Sequence, residues 1–194
     1  MVQRKKPEAR DAILAGAFRL FSRKGYSATT LTEIAREAGM STGNLYIYFG
    51  SKLAILYAIY DPWLRARVDA LEHELARIKS PDRRVRRLLS ALWRDIPGEE
   101  NGFLNNIMQA ISAAEPAEGY RSTLVRWFEK RIAAMIADAL PPARRARLSK
   151  ARLAHVLIMA FDGFAIHRHL HPKGAVVDDF TIDAVAAMIL GKAA

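Results

Sequence analysis

The most informative polar residues of this chain lie in residues 30–52, TLTEIAREAGMSTGNLYIYFGSK. Thr30 and Glu33 have the T-x-x-E spacing of a capping box, which predicts that a helix begins after Thr30. Gly39 follows the apolar residues of that helix, and Ser41 supplies a second N-cap two residues later. Two capped helices joined by a glycine turn within about 20 residues are typical of the helix-turn-helix motif.

The second of these helices carries side chains that suit contact with DNA. In a helix-turn-helix this helix enters the major groove, and its N-terminal residues reach the bases. Asn can bond adenine through two hydrogen bonds, and small apolar groups can touch the thymine methyl group. We predict that Thr42, Asn44 and Ile47 read bases, while Gly43 permits close approach. Hydroxyl and ammonium groups suit phosphate oxygens. The predicted phosphate contacts are Thr30, Tyr46, Tyr48 and Lys52.

The pattern T-x-x-E-I-A-x-x-A-G-M-S-x-G-x-L-Y-x-Y-F-x-S-K resembles the DNA-binding domain of the TetR (tetracycline-repressor) family of bacterial regulators. The resemblance implies an N-terminal three-helix DNA-binding domain, residues 1–50. It also implies a C-terminal helical domain for effector binding and dimerisation, residues 51–194, with about nine helices in all. Such a protein is expected to bind a (pseudo)palindromic operator as a dimer, act as a repressor, and be released by a small effector.

Helical periodicity extends over most of the chain. Apolar residues recur at spacings of three and four, and no β pattern is present, so we predict an all-α fold. Asp61 and Pro62 interrupt the fourth helix of this pattern. Because proline lacks a backbone N–H and clashes with the preceding turn, we predict a kink or a restart there.

Composition and charge limit the classes of protein that this chain can belong to. The chain has 194 residues and is 51% hydrophobic, enough for a packed core. Half of its net charge of +10 falls in the first 57 residues, which favours a phosphate-bearing partner. It has no Cys for disulfides. It also lacks a signal-peptide pattern and an apolar run of the roughly 20 residues that cross a membrane, so we expect a cytoplasmic, nucleoid-associated location.

Aromatic and Met residues recur on consecutive helices after residue 90. At helical spacing such residues form a core more often than a binding site. The TetR resemblance implies, however, that an effector binds inside this helical domain, and we predict a small, largely apolar one. Asn105, Asn106 and Gln109 are further polar groups that could orient it. The predicted pocket residues are Trp93, Phe103, Met108, Tyr120, Trp127, Phe128, His155, Met159 and Asp162.

Residues 156–166 are apolar around nearly the whole helix. Such a helix must be covered on every side, by core or by a partner chain. A second apolar helix begins near Asp178. We predict that the two helices pair with their copies about a two-fold axis as a four-helix bundle. The alternative is that they bury each other within one subunit. The predicted interface residues are Ala160, Gly163, Phe164, His167, Val185, Met188 and Ile189.

Two other classes of function stay open. One is a helical sensor or binding protein for hydrophobic molecules without DNA binding, against which the helix-turn-helix pattern argues. The other is an enzyme using His155 or Asp162, but no nucleophile-elbow or phosphate-loop pattern accompanies them. His167 and His171 could share a helix face, yet no carboxylate or Cys completes a metal site. We therefore predict no catalysis, no metal and no cofactor.

Overall fold

The computed structural model describes residues 6–99, 102–113, 123–170 and 177–192. These residues form helices and contain no strand, which confirms the all-α prediction. The N-terminal helices are α1 (Pro7–Lys24), α2 (Leu31–Glu37), α3 (Thr42–Tyr48) and α4 (Lys52–Arg77). Next come α5 (Pro81–Ser90), a π-helical turn (Ala91–Asp95) and α6 (Ile96–Gly98). The remaining helices are α7 (Phe103–Ala113), α8 (Thr123–Ala139), α9 (Pro142–Arg145), α10 (Lys150–Leu170) and α11 (Asp179–Leu190).

The chain divides into two compact units. The first contains residues 1–64 and 100–120, and the second contains residues 65–99 and 121–194. The predicted boundary after residue 50 separates functional domains, whereas these units are defined by packing. The functional boundary therefore stays a prediction.

The first unit contains the predicted three-helix arrangement. α1 packs on α2, and α2 packs on α3. α1 is followed by its C-cap residue, Gly25, whose φ of 81° lies in the region that favours glycine. The buried apolar side chains of these helices and the connecting loops form the core: Ile13, Ala17, Leu20, Phe21, Tyr26, Ile34, Ala35, Leu45 and Phe49.

Of the predicted kink or restart at Asp61 and Pro62, the restart is wrong, because the helix is not broken there. α4 runs for 26 residues with Pro62 inside it. Pro62 removes one backbone donor from the helix. Tyr60 and Leu64, on either side of it, are both buried. The sequence pattern showed the missing donor but not the burial around it.

In the second unit, the basic residues of α5 connect neighbouring helices. Its sequence PDRRVRRLLS is rich in arginine. Arg84 donates to the carbonyl oxygen of Asp138 at 3.1 Å, at the end of α8. Arg87 pairs with Glu74 of α4 and Asp95 of the π-helical turn, both at 2.7 Å. Since these guanidinium groups are bound to partners within the unit, this part of the positive charge has a structural role.

Candidate nucleic-acid interface

The capping box that begins α2 is present. The hydroxyl oxygen of Thr30 accepts from the backbone N–H of Glu33 at 3.2 Å. The Glu33 carboxylate accepts in return from the Thr30 backbone N–H and hydroxyl, both at 2.9 Å. Lys24 also donates to this carboxylate, at 2.6 Å. The Lys24 contact, followed by the bonds from Thr30, lowers the pKa of Glu33 to about 2. The start of α2 is therefore fixed by a charged as well as a neutral interaction.

α3 rests on two buried residues and exposes the predicted base readers. Ser41 caps it by accepting from the N–H of Asn44 at 3.2 Å. Leu45 and Phe49 are buried, which sets the face that α3 turns toward the core. Most of the remaining α3 side chains are accessible. Gly43, Asn44, Tyr46 and Ile47 are exposed, and Thr42 and Tyr48 are half-buried.

The phenol of Tyr48 contacts the start of the described chain. Its oxygen accepts from the backbone N–H of Lys6 at 3.2 Å. The hydroxyl hydrogen is not used in this bond, so Tyr48 can still donate to a phosphate oxygen. The predicted phosphate role of Tyr48 is compatible with its position, as is that of the exposed Tyr46.

Lys52 and Thr30 fit the predicted phosphate role less well. The Lys52 ammonium donates to the carbonyl oxygens of Tyr26 at 2.8 Å and Thr29 at 2.7 Å. It lies 4.2 Å from the centre of the Tyr26 ring, and its partial burial lowers its pKa. The hydroxyl hydrogen of Thr30 is bound to Glu33. Two of the three Lys52 donors and the Thr30 hydroxyl thus hold the α1–α2 turn (residues 25–30), and the predicted phosphate role of both residues stays a prediction.

Gln109 is a residue of this region that the sequence did not identify. Its side-chain oxygen accepts from the backbone N–H of Ser27 at 2.9 Å, across 82 residues of sequence. The sequence suggested instead that Gln109 could orient an effector. No local pattern indicates a contact over such a separation, so only the packing of α7 reveals it.

One predicted pocket residue of the first unit, Phe103, lies in an aromatic cluster. Phe103 has its ring centre 5.3 Å from that of Tyr60 and 4.8 Å from that of Trp63. Met108 is half-buried on the same helix, and Tyr120 lies outside the described residues.

In the second unit, three predicted pocket residues pack against neighbouring side chains. Trp93 donates from its indole N–H to the Leu157 carbonyl at 3.2 Å. The ring centres of Phe128 and Phe161 are 6.4 Å apart. The Trp127 ring is contacted by a guanidinium group 4.3 Å from its centre, that of Arg65. All three side chains thus have partners already, and an effector that uses them must displace these contacts.

Three predicted pocket residues are exposed to solvent in the subunit, which does not support their pocket role. His155, Met159 and Asp162 are exposed on α10, with Met159 at 60%. Asp162 is exposed as a residue, although partial burial of its carboxyl raises its pKa. α10 is apolar on several faces, so its periodicity could not indicate which face is inward. The structure assigns Met159 to the exposed apolar face of α10 instead.

Two cavities of the second unit are lined by described residues other than those of the predicted pocket. One of about 230 Å³ is lined by charged side chains, including Arg67, Arg87 and Glu99, and by residues of the π-helical turn. Another, of about 80 Å³, lies beside Met135. Neither is lined by a residue of the predicted pocket, which therefore stays a prediction.

The predicted interface residues divide into exposed and buried ones. Gly163, His167 and Met188 are exposed, and Ala160 and Val185 are half-buried. The Phe164 ring packs 5.1 Å from that of Trp93, and Ile189 is buried, so these two face the subunit's own core. Four exposed apolar residues were not among the predicted interface residues: Val156, Met159, Ile166 and Phe180. Helical spacing could have identified them, because they share helix faces with Gly163 or Met188.

The alternative arrangement, in which α10 and α11 bury each other, is not what the second unit contains. α10 packs chiefly on α8, and α11 packs chiefly on α5. This packing leaves Phe180 81% exposed and Met188 74% exposed. An apolar face on each helix therefore has no cover among the described residues.

The N-terminal helices and their exposed α3 define a helix-turn-helix protein. Residues 13–59 match the family model for bacterial regulatory proteins of the tetR family. This match identifies residues 13–59 as a domain of the tetR type. Among the described helices, none has both the length and the apolar composition needed to cross a membrane.

Named relatives agree with this family. HTH-type transcriptional regulator HbdR from Aromatoleum sp. (strain CIB) is 42% identical over 87 residues, which are 44% of this chain and 36% of HbdR. The chain spans about a third of the length of the curated relatives it matches.

Solved structures share the fold over nearly the whole chain. The fatty acid degradation regulator FadR from Bacillus halodurans has a TM-score of 0.69 and 14% identity, covering 97% of both chains. FadR from Bacillus subtilis, solved in complex with stearoyl-CoA, has a TM-score of 0.63 and 15% identity, covering 93% of this chain and 95% of that one. At such identities the similarity establishes the fold alone.

Proposed function

We propose that this protein is a transcriptional regulator that binds a (pseudo)palindromic DNA operator as a homodimer. The observation that carries the proposal is the set of side chains that α3 buries and exposes. Its buried Leu45 and Phe49 fix its orientation, while Asn44, Tyr46 and Ile47 remain exposed. Amide, phenol and apolar groups on an exposed second helix can read base edges and hold phosphates.

The dimer is supported by the apolar faces of α10 and α11. One helix-turn-helix reads few bases, whereas two related by a two-fold axis read half-sites one helical turn apart, or a multiple of it. Apolar residues as exposed as Phe180 and Met188 mark interaction surfaces when they cluster. A two-fold pairing of these faces would cover them with identical ones.

We further propose a repressor that a small, largely apolar effector releases from DNA. The aromatic clusters around Phe103 and around Phe128 supply apolar surface within each unit. FadR from Bacillus subtilis binds stearoyl-CoA, so long-chain acyl-CoA is a reasonable first compound to test. A ligand that binds only the native state raises the thermal midpoint. Acyl-CoA that neither raises this midpoint nor weakens operator binding would count against an acyl effector.

Selection of bound sequences from random duplex DNA tests the central proposal. We expect enrichment of a two-fold symmetric sequence, followed by tight binding of that duplex at physiological salt. A scrambled duplex of equal length and composition is the control. If a folded sample enriches no sequence, the alternative of a helical binding protein without DNA recognition is favoured.

A further inference from the structure

Gln109 of α7 contacts the α1–α2 turn through a specific hydrogen bond. Because the backbone N–H of Ser27 can only donate, the amide oxygen of Gln109 must be the acceptor, at 2.9 Å. The amide nitrogen is also bound, donating to the Asn105 side-chain oxygen at 3.1 Å. Both ends of the amide are therefore satisfied, and its orientation is fixed.

The turn is shaped to receive this side chain. Gly25 has a φ of 81°, which residues with a Cβ rarely adopt. A Cβ placed on Gly25 would lie 2.7 Å from the Gln109 oxygen and 2.8 Å from its nitrogen. Only a residue without a side chain allows the amide to approach this closely. Both the backbone angle and the available space at Gly25 are thus matched to Gln109.

The N-terminal part of α7 contacts α4. Asn106 is buried, and its amide donates to the Tyr60 hydroxyl at 3.1 Å. Phe103 packs on the Tyr60 ring. α7 therefore contacts α4 through its first turn and the α1–α2 turn through Gln109, about one turn later. The same turn is held by Lys52, the first residue of α4.

We propose that Gln109 is a positioning residue for DNA recognition: through Ser27, it sets the α1–α2 turn that leads into the Thr30 cap of α2. α2 packs directly on α3, so a displaced turn shifts the recognition helix. Gln109 contacts no DNA in this scheme. The inference rests on the proposed operator binding, and it assigns to Gln109 a role distinct from effector contact.

Two substitutions separate this role from general structural support. Gln109→Met keeps the length of the side chain but removes the oxygen acceptor. Gln109→Glu keeps an oxygen for Ser27 and loses the donor to Asn105. Ser112→Ala, an exposed position on the same helix, is the matched control. Full-length protein is used throughout, and thermal unfolding confirms that each variant is folded.

Two measurements are made on each variant. Amide hydrogen exchange at Ser27 reports the bond, and the ratio of selected-operator to scrambled-duplex affinity reports positioning. For Gln109→Met we expect faster Ser27 exchange and a ratio lower by roughly two- to ten-fold, the effect of one lost hydrogen bond. Gln109→Glu should restore both values toward those of the unmodified protein. Ser112→Ala should change neither. The ratio cancels any effect of the added negative charge that applies equally to both duplexes.

Two outcomes would overturn the inference. Unchanged Ser27 exchange in Gln109→Met would mean that the bond does not protect the turn. Faster exchange with an unchanged affinity ratio would mean that the bond supports the fold without positioning α3. The unmodified protein is measured first, so a failure to select any operator would be recognised as a failure of the proposed function.

Discussion

The ammonium of Lys52 and the peptide carbonyl of Tyr26 form a 2.8 Å hydrogen bond, with the same ammonium 4.2 Å from the centre of the Tyr26 ring. A second bond runs to the Thr29 carbonyl. A lysine at the start of α4, which the sequence assigned to DNA phosphate, therefore fastens the α1–α2 turn. The consequence is measurable, because a phosphate contact and an internal contact respond differently to salt.

We expect Lys52→Met to weaken operator binding by loosening the turn. Methionine preserves the apolar stem beside Tyr26 but cannot donate to the two carbonyl oxygens. A lost phosphate contact lowers the slope of log affinity against log salt by about one. Since two of the three Lys52 donors are used internally, we expect a smaller change, together with a lower thermal midpoint. A salt slope reduced by a full unit with an unaltered midpoint would restore the phosphate assignment.

We expect Asn44→Ala to relax the preference at one base pair of each half-site. Asn44 is exposed near the start of α3, where it can bond a base edge. Loss of a bidentate contact costs about 1–3 kcal/mol of discrimination. Repeating the duplex selection with the variant measures this loss position by position. Equal weakening on operator and scrambled duplex would show that Asn44 reads no base.

The Glu33 carboxylate should make the free energy of unfolding depend on pH in the acid range. Its pKa is lowered from 4.5 to about 2 in the folded protein, by Lys24 first and then by Thr30. A carboxylate whose pKa is lowered by folding stabilises the protein at pH values above its ordinary pKa. This stabilisation disappears as the pH falls toward the pKa of the folded state. Glu33→Gln should therefore be less stable than the unmodified protein at neutral pH.

Chemical denaturation at several pH values tests this dependence. The difference between the two proteins should shrink between about pH 4.5 and pH 2. Taking the difference removes the contributions of other carboxylates with lowered pKa, such as Glu74 and Asp82. A difference that stays constant over this range would contradict the assigned interaction.

Gly163→Arg should separate the dimer without unfolding the subunit. A Cβ at Gly163 meets no atom within 4 Å, so the subunit itself can accept a side chain there. A guanidinium placed in an apolar two-fold seam would face its own copy and oppose association. We expect a folded monomer by sedimentation at micromolar concentration and far weaker operator binding. Ala146→Arg, at an exposed position away from α10, is the charge-matched control.

If the unmodified protein sediments as a monomer at the same concentration, the dimer proposal fails. If the Gly163→Arg variant remains a dimer, the dimer interface does not include Gly163. Phe180→Ser would then test α11 separately, because Phe180 is strongly exposed.

The sequence by itself determined the local features of the helix-turn-helix, α2 and α3. Thr30, Glu33, Gly39 and Ser41 act within a few residues of their positions, so capping and turn preferences were sufficient to place α2 and α3. The spacing of Leu45 and Phe49 likewise determined which face of α3 is buried. Where several faces of a helix were apolar, as in α10, the periodicity could not tell that Met159 is exposed while the Phe164 ring packs beside Trp93.

Only the tertiary structure decided which donors and acceptors meet across long separations. Nothing near Lys52 in the sequence indicates that Tyr26 and Thr29 bind its ammonium, and nothing near Gln109 points to Ser27. Local preference likewise did not indicate that α4 continues through Pro62, where Tyr60 and Leu64 are buried on either side. Local preferences act over a few residues, whereas these contacts arise when distant segments are brought together by burial of the core, which no short pattern encodes.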